Sequence, residues 1–250
     1  MPGLRFLRET LVLVPALNEA ACVAQSVRDW LVLGVRRVRV VDNGSTDNTR
    51  CLAEEAGAEV ILEPRRGYGA AAWRGLQDWP PECAWVLFSS ADGSDRLSAT
   101  EAAAWQRAVD GGADLVLGDR TALPDSRAHL TRSQRLGNRI CCMAIACAWN
   151  RRFRDLASLR LVRRHVIDRM QLRDRGYGWN LEMQVRALEM GVQVVELPVS
   201  HFPRRAGQSK ISGRLSGTVQ AGYGILRVLA HLWRLRFRGH SRRADALVAP

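Results

Sequence analysis

Lysine is almost absent from this chain of 250 residues. Lys210 is the one lysine among 37 basic residues, and all the others are arginines. Together they give a formal net charge of +12, which would suit nucleic acid or an anionic membrane surface as a partner. The arginines are scattered along the whole chain, a pattern more typical of a coding bias than of a designed polyanion groove. We therefore predict that nucleic acid is not a partner.

Paired cysteines and long apolar runs are also missing. The six cysteines show no CxxC spacing and no paired histidines, which argues against a zinc site and favours core thiols in a reducing compartment. No stretch reaches the roughly 18 apolar residues that a membrane span needs. Arg5 and Arg8 interrupt the short apolar run near the N-terminus, so we expect no signal peptide. These absences predict a cytoplasmic protein, soluble or peripheral at the inner face of the membrane.

Short apolar runs alternate with helical patterns over the first 120 residues or so. The pattern predicts strands at 10–16, 38–41, 58–62, 84–88 and 114–117, and helices around 23–31, after Thr46 or Asp47 as a cap, at 70–77 and at 102–109. The second half is less regular, with helices predicted at 133–149 and 181–190 and strands at 159–162 and 192–197. Such alternation is typical of an α/β fold with a mostly parallel, Rossmann-like sheet flanked by helices.

Polar residues follow three of the predicted strands. The first strand leads into 15–19, the second into 42–45 and the fourth into 89–94, and each of these segments carries an acid. Ligands of such sheets bind at the carboxyl ends of the strands, so we predict one site at this edge. Asp92 can face a divalent cation there, since carboxylate oxygens suit such ions. Its alternative interpretation is a plain turn or cap residue.

An ordered set of motifs runs from about residue 11 to about residue 227. Its members are VPALNEA (14–20), VVDNGSTDNT (40–49), EPRRGYGAA (63–71), SADGSD (90–95), LGDR (117–120), QRLGN (134–138), RDLASLR (154–160), YGWNLEMQ (177–184) and PRRAGQSKISG (203–213). Each motif alone is modest, but the set in this order resembles the family-2 glycosyltransferases. The likeness is greatest to the dolichyl- or polyprenyl-phosphate sugar transferases and their bacterial relatives.

The resemblance implies a fold, a cofactor and roles for particular residues. The fold would be the A-type glycosyltransferase fold, and the cofactor Mg²⁺ or Mn²⁺ held by Asp92. The nucleotide sugar would be bound by Pro15, Leu17, Asn18, Glu19, Asp42, Asn43, Gly67, Ser90, Ala91 and Arg120. The diphosphate or the acceptor would be met by Arg135, Asp155, Arg160, Trp179, Arg204 and Ser209. The catalytic residues would be Asp92, Glu182 and Lys210.

Two departures from the family pattern bear on the chemistry. Ser90 stands where relatives carry the first acid of an Asp-Ala-Asp signature, which removes one negative charge and should weaken metal binding. The segment 156–159 replaces a turn of the Gly-Pro-Phe type and could alter the acceptor site.

Several motif residues also have plainer interpretations. Gly67 opens a G-x-G-x-x-A match to a dinucleotide site, although it follows the third predicted strand and not the first. Glu182 could be a solvated helix acid, Trp179 a core residue, and Asp155 a turn acid.

The function expected from the resemblance is inverting transfer of a sugar from a nucleotide diphosphate to an acceptor, expected to be a lipid phosphate of the polyprenyl type. Two alternatives are a transferase with a soluble acceptor and a nucleotide-sugar-binding protein whose catalysis is weakened by Ser90. We expect a catalytic domain at 1–213, with its nucleotide-sugar half at about 10–120 and its acceptor half at about 121–213. A basic amphipathic helix at 215–237, within an extension at 214–250, would contact the anionic membrane surface.

Overall fold

The computed structural model describes residues 4–206, 224 and 227–234. Seven strands form one sheet. The strands are β1 (Thr10–Ala16), β2 (Arg37–Asp42), β3 (Glu59–Leu62), β4 (Trp85–Phe88), β5 (Leu115–Asp119), β6 (Arg160–Arg163) and β7 (Val194–Pro198). The predicted strands differ from these by at most two residues at any end.

Helices connect the strands and cover the sheet. They are α1 (Arg5–Arg8), α2 (Val23–Leu33), α3 (Thr49–Glu55), α4 (Tyr68–Gly75), α5 (Ala99–Asp110), α6 (Pro124–Ala128), α7 (Arg132–Trp149), α8 (Arg164–Met170) and α9 (Trp179–Met190). Residues 227–234 are also helical. The longer helices were predicted, whereas the short α1, α6 and α8 were not.

The sheet is mostly parallel, as predicted. Its strand order is β3-β2-β1-β4-β6-β5-β7, with parallel pairing on both sides of β1. Only β6 runs against its two neighbours β4 and β5. The order places β1 between β2 and β4, so the loops that follow these three strands lie at adjacent positions along one edge.

The two faces of the sheet have separate cores because successive side chains of a strand point to opposite sides. In β1, Leu11 and Leu13 face a core shared with α4, α7 and α9, while Val12 and Val14 face a core shared with α2, α3 and α5. All four side chains are 0% exposed. Because both faces of β1 are buried, its sequence is apolar on both faces, from Leu11 to Ala16.

Helix starts follow local capping chemistry. Ser98 and Glu101 form a capping box at α5, and Thr131 and Gln134 form another at α7. The prediction that Thr46 or Asp47 caps the helix after β2 needs correction. The N-cap position is Asn48, whose side chain makes no capping bond, while Asp47 Oδ1 accepts from the backbone N–H of Thr49 at 3.0 Å.

The C-terminal helix 227–234 packs against the domain. Val228 and Leu232 are 8% and 1% exposed and join the core beneath α4 and α9, whereas Trp233 is 41% exposed. Part of the expected extension therefore contributes to the core, and the rest of the predicted helix 215–237, apart from residue 224, lies outside the described residues. Within the described ranges, no helix is long and apolar enough to span a bilayer.

Candidate active site

Backbone and side-chain hydrogen bonds join the loops after β1 and β2. The Asn18 backbone N–H donates to Ser45 Oγ at 2.9 Å, and Asn18 Oδ1 accepts from the Thr46 N–H at 2.7 Å. The Glu19 N–H donates to Thr49 Oγ1 at 2.7 Å. Asn18 has a positive φ of 50°, a conformation that asparagine tolerates better than most residues. The side chain of Asn18 is thus engaged in fixing the two loops together.

Asp42 ends β2 and Asn43 follows it, and their side chains have different hydrogen-bond partners. Asp42 is 4% exposed, and its Oδ1 accepts from the Ser45 N–H at 3.0 Å. The amide of Asn43 donates to the carbonyls of Glu63 and Arg65, and its Oδ1 accepts from the Gly67 N–H at 2.9 Å. Asn43 therefore shapes the loop after β3, while Asp42 is held by its turn at the base of the first two loops.

Asp42→Ala is expected to weaken binding of a nucleoside diphosphate by about tenfold, the effect of losing one charge-assisted hydrogen bond to the base. Isothermal titration of UDP and GDP measures this loss. Asp168→Ala is the matched control, because Asp168 is exposed on α8, on the other side of the sheet from the α2 layer. If Asp42→Ala binds the nucleotide as tightly as the parent and melts at the same temperature, Asp42 does not read the base.

The loop after β4 holds Asp92 in a network of hydroxyl groups. Asp92 Oδ1 accepts from the backbone N–H of Ser94 at 2.9 Å and from its Oγ at 2.6 Å. Ser94 Oγ lies 3.1 Å from Ser90 Oγ, so the hydroxyl that replaces the first acid is connected to Asp92 through Ser94. Ala91 is buried, and its carbonyl accepts from Ser26 Oγ. Ala91 therefore anchors this loop on α2.

Arg204 joins two of the strand-end loops. Its Nη1 donates to Asp92 Oδ2 at 2.8 Å, and its Nη2 donates to both carboxylate oxygens of Glu19 at 2.7 and 2.6 Å. Burial opposes the charged form, but the two carboxylates outweigh it and raise the pKa of Arg204. The guanidinium thus bridges the two acids that face the predicted donor site and offsets one of their two negative charges.

Asp95 is a buried acid that the motifs did not identify as a site residue. It is 4% exposed, and its Oδ2 accepts from the Ser90 N–H at 3.0 Å and from Ser158 Oγ at 2.6 Å. His201 Nδ1 lies 3.8 Å from Asp95 Oδ1. Burial would raise the pKa of Asp95, but His201, Ser158 and Arg120 together hold it below its usual value. Asp95 ends the SADGSD motif, so its sequence position was the available signal.

The glycines after β3 serve a close approach between two backbones. A Cβ at Gly67 would lie 2.2 Å from the carbonyl oxygen of Arg175, and one at Gly69 would lie 2.5 Å from that of Asp174. The Gly69 N–H donates to Gly176 O at 2.9 Å, so an α4 N-terminal amide already has a protein acceptor. This packing accounts for the G-x-G-x-x-A pattern and counts against the dinucleotide interpretation.

Arg120 and Asp155 form a buried ion pair. Asp155 Oδ2 accepts from the backbone N–H and the Nε of Arg120 at 3.0 and 2.8 Å, and Oδ1 accepts from Nη2 at 2.8 Å. The side chains are 14% and 0% exposed. Burial opposes the charge of Arg120, but Asp155, Asp95 and Asp119 raise its pKa. Asp155 is therefore more than a turn acid, and contact of Arg120 with the donor stays a prediction.

Two residues predicted near the acceptor, Trp179 and Arg160, are core residues. Trp179 is 1% exposed and meets Phe88 edge to face, with ring centroids 6.4 Å apart. Arg160 is 0% exposed, donates to the Asn180 carbonyl at 3.0 Å and to the Ala157 carbonyl, and burial lowers its pKa to about 10. The placement of Trp179 and Arg160 beside the acceptor is corrected, since both side chains pack inside the domain.

Glu182 is likewise buried, at 4% exposure, and is not a solvated helix acid. Its carboxylate accepts from the backbone N–H of Arg173 at 3.1 and 3.0 Å and of Asp174 at 2.8 Å. These bonds hold the loop before α9. A role for Glu182 as a proton acceptor stays a prediction, while its observed contacts are structural.

The remaining predicted residues fall into two groups. Arg135 is exposed at the start of α7, and Pro15 and Leu17 lie at the end of β1, each half-buried. Ser209 and Lys210 lie outside the described residues, so their assignment to the diphosphate is a prediction from the motif alone.

A divalent cation fits this site only in part. Among the described residues, no three His, Cys, Asp or Glu side chains lie close enough together to hold a metal ion. Asp92 offers hard carboxylate oxygens, and the hydroxyl of Ser90 is hydrogen-bonded to Ser94, which in turn donates to Asp92. These oxygens are an incomplete set of ligands for the cation. Mg²⁺ is commonly held by one or two carboxylates and substrate phosphates, so such a site is completed by a bound diphosphate. Arg204 would have to release Asp92 Oδ2 for this to happen.

The motifs and the strand-end geometry have a counterpart among known families. The family model described as glycosyl transferase family 2 matches residues 11–175 of the chain. The chain belongs to glycosyltransferase family 2. It is therefore an enzyme of the glycosyltransferase class, as the motifs predicted.

Individual relatives support the same family. The chain is 35% identical over 219 residues to an uncharacterized glycosyltransferase of Mycobacterium tuberculosis, covering 88% of this chain and 97% of that protein. It is 29% identical over 236 residues to the polyprenol monophosphomannose synthase of Mycolicibacterium smegmatis, covering 82% of each. The predicted likeness to polyprenyl-phosphate sugar transferases is thus confirmed.

A solved structure confirms the fold. The glucosyl-3-phosphoglycerate synthase of Mycobacterium tuberculosis, in complex with Mn²⁺, UDP-glucose and phosphoglyceric acid, superposes with a TM-score of 0.67. The alignment covers 90% of this chain and 80% of that chain at 22% identity. The glycosyltransferase therefore has the A-type fold.

Proposed function

We propose that this glycosyltransferase moves a sugar from a nucleotide diphosphate to the phosphate of a polyprenyl-type lipid, with inversion at the anomeric carbon. An oxygen of the acceptor phosphate attacks the anomeric carbon while the bond to the donor's β-phosphate oxygen breaks. The nucleoside diphosphate leaves with the bonding electrons. One in-line displacement of this kind inverts the configuration.

The donor half of the proposal rests on the three loops after β1, β2 and β4. Asp42 would contact the base, and Glu19 the ribose. Arg204 already faces Asp92 from the opposite loop, and it would turn to the donor's diphosphate as negative charge builds there. Asp92 would hold a divalent cation, which would supply positive charge at the leaving diphosphate. The Mn²⁺ and UDP-glucose in the solved structural neighbour support this donor chemistry.

One observation favours a phosphate acceptor. The two acids expected near the acceptor that could serve as a general base for a hydroxyl are both engaged, because Glu182 accepts backbone hydrogen bonds and Asp155 pairs with Arg120. A hydroxyl acceptor must lose a proton as it attacks, whereas a phosphate is already anionic and needs no base. The polyprenol monophosphomannose synthase among the relatives supports a lipid as carrier of that phosphate.

A second candidate is transfer to a small soluble acceptor. Its support is the structural neighbour, which was solved with phosphoglyceric acid at 22% identity. It would require a proton acceptor for any hydroxyl that attacks the sugar. The engaged state of Glu182 and Asp155 makes this the weaker proposal.

The lipid acceptor also implies a place in the cell and an organisation of the chain. We propose that the enzyme works in the cytoplasm, peripherally at the inner face of the membrane, with its catalytic domain at 1–213. Val228 and Leu232 attach the basic segment 214–250 to the core of that domain, and exposed residues of the segment would face the lipid. The exposed Trp233 and Arg234 of helix 227–234 would contact headgroups.

The decisive experiment offers the purified enzyme four acceptors in parallel. With Mn²⁺ and a panel of UDP- and GDP-sugars, polyprenyl phosphate should be glycosylated, while polyprenol, phosphoglyceric acid and inorganic phosphate should not. Polyprenol tests the phosphate requirement at a constant lipid chain, and phosphoglyceric acid tests the second candidate. Transfer to phosphoglyceric acid or to polyprenol, with none to polyprenyl phosphate, would overturn the proposal.

A further inference from the structure

A strongly basic cavity lies beside the predicted donor site. Its lining contains none of the residues predicted to bind the nucleotide sugar, but it does contain Glu182, a predicted catalytic residue. Its volume is about 540 Å³, and it opens between the loop after β3, the loop before α9 and the C-terminal helix 227–234. Its basic lining residues are Arg65, Arg66, Arg173, Arg175, Arg227 and His231.

The two acids in the lining are already used by the protein. Glu182 accepts from the backbone of residues 173 and 174. Asp174 Oδ2 accepts from the N–H groups of Gly176 and Gly178 at 2.9 and 2.8 Å, and its Oδ1 lies 3.9 Å from Arg227. Five guanidinium groups therefore face two carboxylates that are mostly committed to backbone donors.

Two of these arginines, Arg65 and Arg175, lie close enough to repel each other. Burial lowers the pKa of Arg175, and Arg65 lowers it further by like-charge repulsion, while Glu182, Asp174 and Glu63 oppose the change. Arg175 is also held in place, since it stacks on the Trp73 ring at 4.6 Å and donates to the Leu172 carbonyl at 3.1 Å. Arg175 therefore cannot move away from the repulsion of Arg65. A bound anion would relieve this repulsion, which favours an anion-binding site here.

We propose that this cavity binds a phosphate group at a site separate from the donor diphosphate. Arginine forks suit phosphate because each can donate two parallel hydrogen bonds to its oxygens. The volume exceeds that of a bare phosphate, so the group can belong to a larger molecule. Two sources share this chemistry, namely the headgroup of an anionic membrane lipid and a soluble phosphoester.

The position of the cavity connects it to the donor loops. Arg66 lines it and at the same time donates from Nη2 to the carbonyl of Gly44 at 2.9 Å, in the loop that carries Asp42. Its other wall is helix 227–234, which exposes Trp233 next to the buried Leu232. A phosphate held here lies between the donor loops and the surface proposed to meet lipid.

The test uses the full chain and a variant with the Arg65→Gln and Arg173→Gln substitutions. Both side chains are exposed, so the fold should tolerate the change. The matched control carries Arg50→Gln and Arg107→Gln, which remove the same charge from exposed positions on α3 and α5, on the other face of the sheet. Melting curves confirm that all three proteins are folded.

Two probes are titrated against each protein. Inorganic phosphate, followed by ³¹P NMR, should bind the parent and the control alike, and the cavity variant at least about tenfold more weakly, since two charge-assisted contacts are lost. Vesicles of phosphatidylcholine with a minor fraction of phosphatidic acid, followed by co-sedimentation, identify the source. A parallel loss of vesicle binding in the cavity variant assigns a lipid headgroup, and a loss with phosphate alone assigns a soluble phosphoester.

Equal phosphate affinity of the cavity variant and the control would overturn the proposal, whatever the vesicles show. This outcome is distinct from failure of the proposed function. Glycosyl transfer is measured with the acceptor panel, and phosphate binding is measured with no donor or acceptor present.

Discussion

Replacing Asp92 by asparagine is expected to lower the turnover of glycosyl transfer by about a hundredfold to a thousandfold, the scale of losing one electrostatic group at the reacting centre, here the carboxylate that would hold the cation at the leaving diphosphate. The expected effect of this one substitution is large because Ser90, two residues earlier, supplies only a hydroxyl and no second carboxylate. The asparagine oxygen can still accept from Ser94, so the loop should keep its shape. Turnover is measured at saturating donor over a Mn²⁺ titration.

The companion variant Ser90→Asp tests the same site in the opposite direction. A second carboxylate should lower the Mn²⁺ concentration required for half-maximal turnover. Asp168→Asn on the exposed face of α8 is the matched control and should leave turnover unchanged. Turnover of Asp92→Asn that equals the parent at every metal concentration would remove Asp92 from the catalytic machinery.

The strands could be predicted closely because burial on both faces leaves a clear mark in the sequence. Apart from Thr10, β1 and β4 consist of apolar residues, and their limits lie within one residue of the prediction. The short α1 and α6 could not be predicted, since four or five residues do not complete enough turns to show a helical period. The strand β6 was predicted, but its reversed direction could not be. That direction depends on where the chain re-enters the sheet, and no local sequence pattern indicates this path.

The candidate site could be predicted as an edge but not as a set of contacts. Polar residues after β1, β2 and β4 predicted that these three loops lie together, and the sheet order does place them side by side. A motif does not record the direction of a side chain. Trp179 and Arg160 belong to family motifs, yet both are buried in the core. Trp179 is buried because of its position on the helix α9, and Arg160 because it lies in the inner strand β6. Their residue types alone do not determine this burial.

Long-range side-chain pairs were beyond sequence reasoning. Arg204 reaches Glu19 across 185 positions and Asp92 across 112. The motif at 203–213 indicated a basic loop for the diphosphate, and charge alone could not show that two acids hold its first arginine. Under the proposed function this pairing has a consequence for catalysis, since the donor diphosphate would have to compete with Glu19 and Asp92 for the same guanidinium.

Asp155→Ala is expected to lower the free energy of unfolding by about 3–5 kcal/mol, the scale for breaking a buried ion pair. Two effects add. The guanidinium of Arg120 stays buried without its partner, and the Arg120 backbone N–H loses its acceptor. Urea denaturation followed by circular dichroism measures the change, with the slope checked for two-state behaviour. Glu54→Ala is the control, since its pair with Arg50 is exposed and should contribute little.

The double variant Arg120→Met with Asp155→Leu separates charge burial from simple loss of packing. It removes both charges and keeps apolar volume, so its loss of stability should be clearly smaller than that of Asp155→Ala alone. The backbone N–H of residue 120 remains without its acceptor, and for this reason we do not expect full recovery. If the double variant is as unstable as Asp155→Ala, the uncompensated charge of Arg120 is not the cause, and the pair acts mainly through the backbone bond that Asp155 accepts.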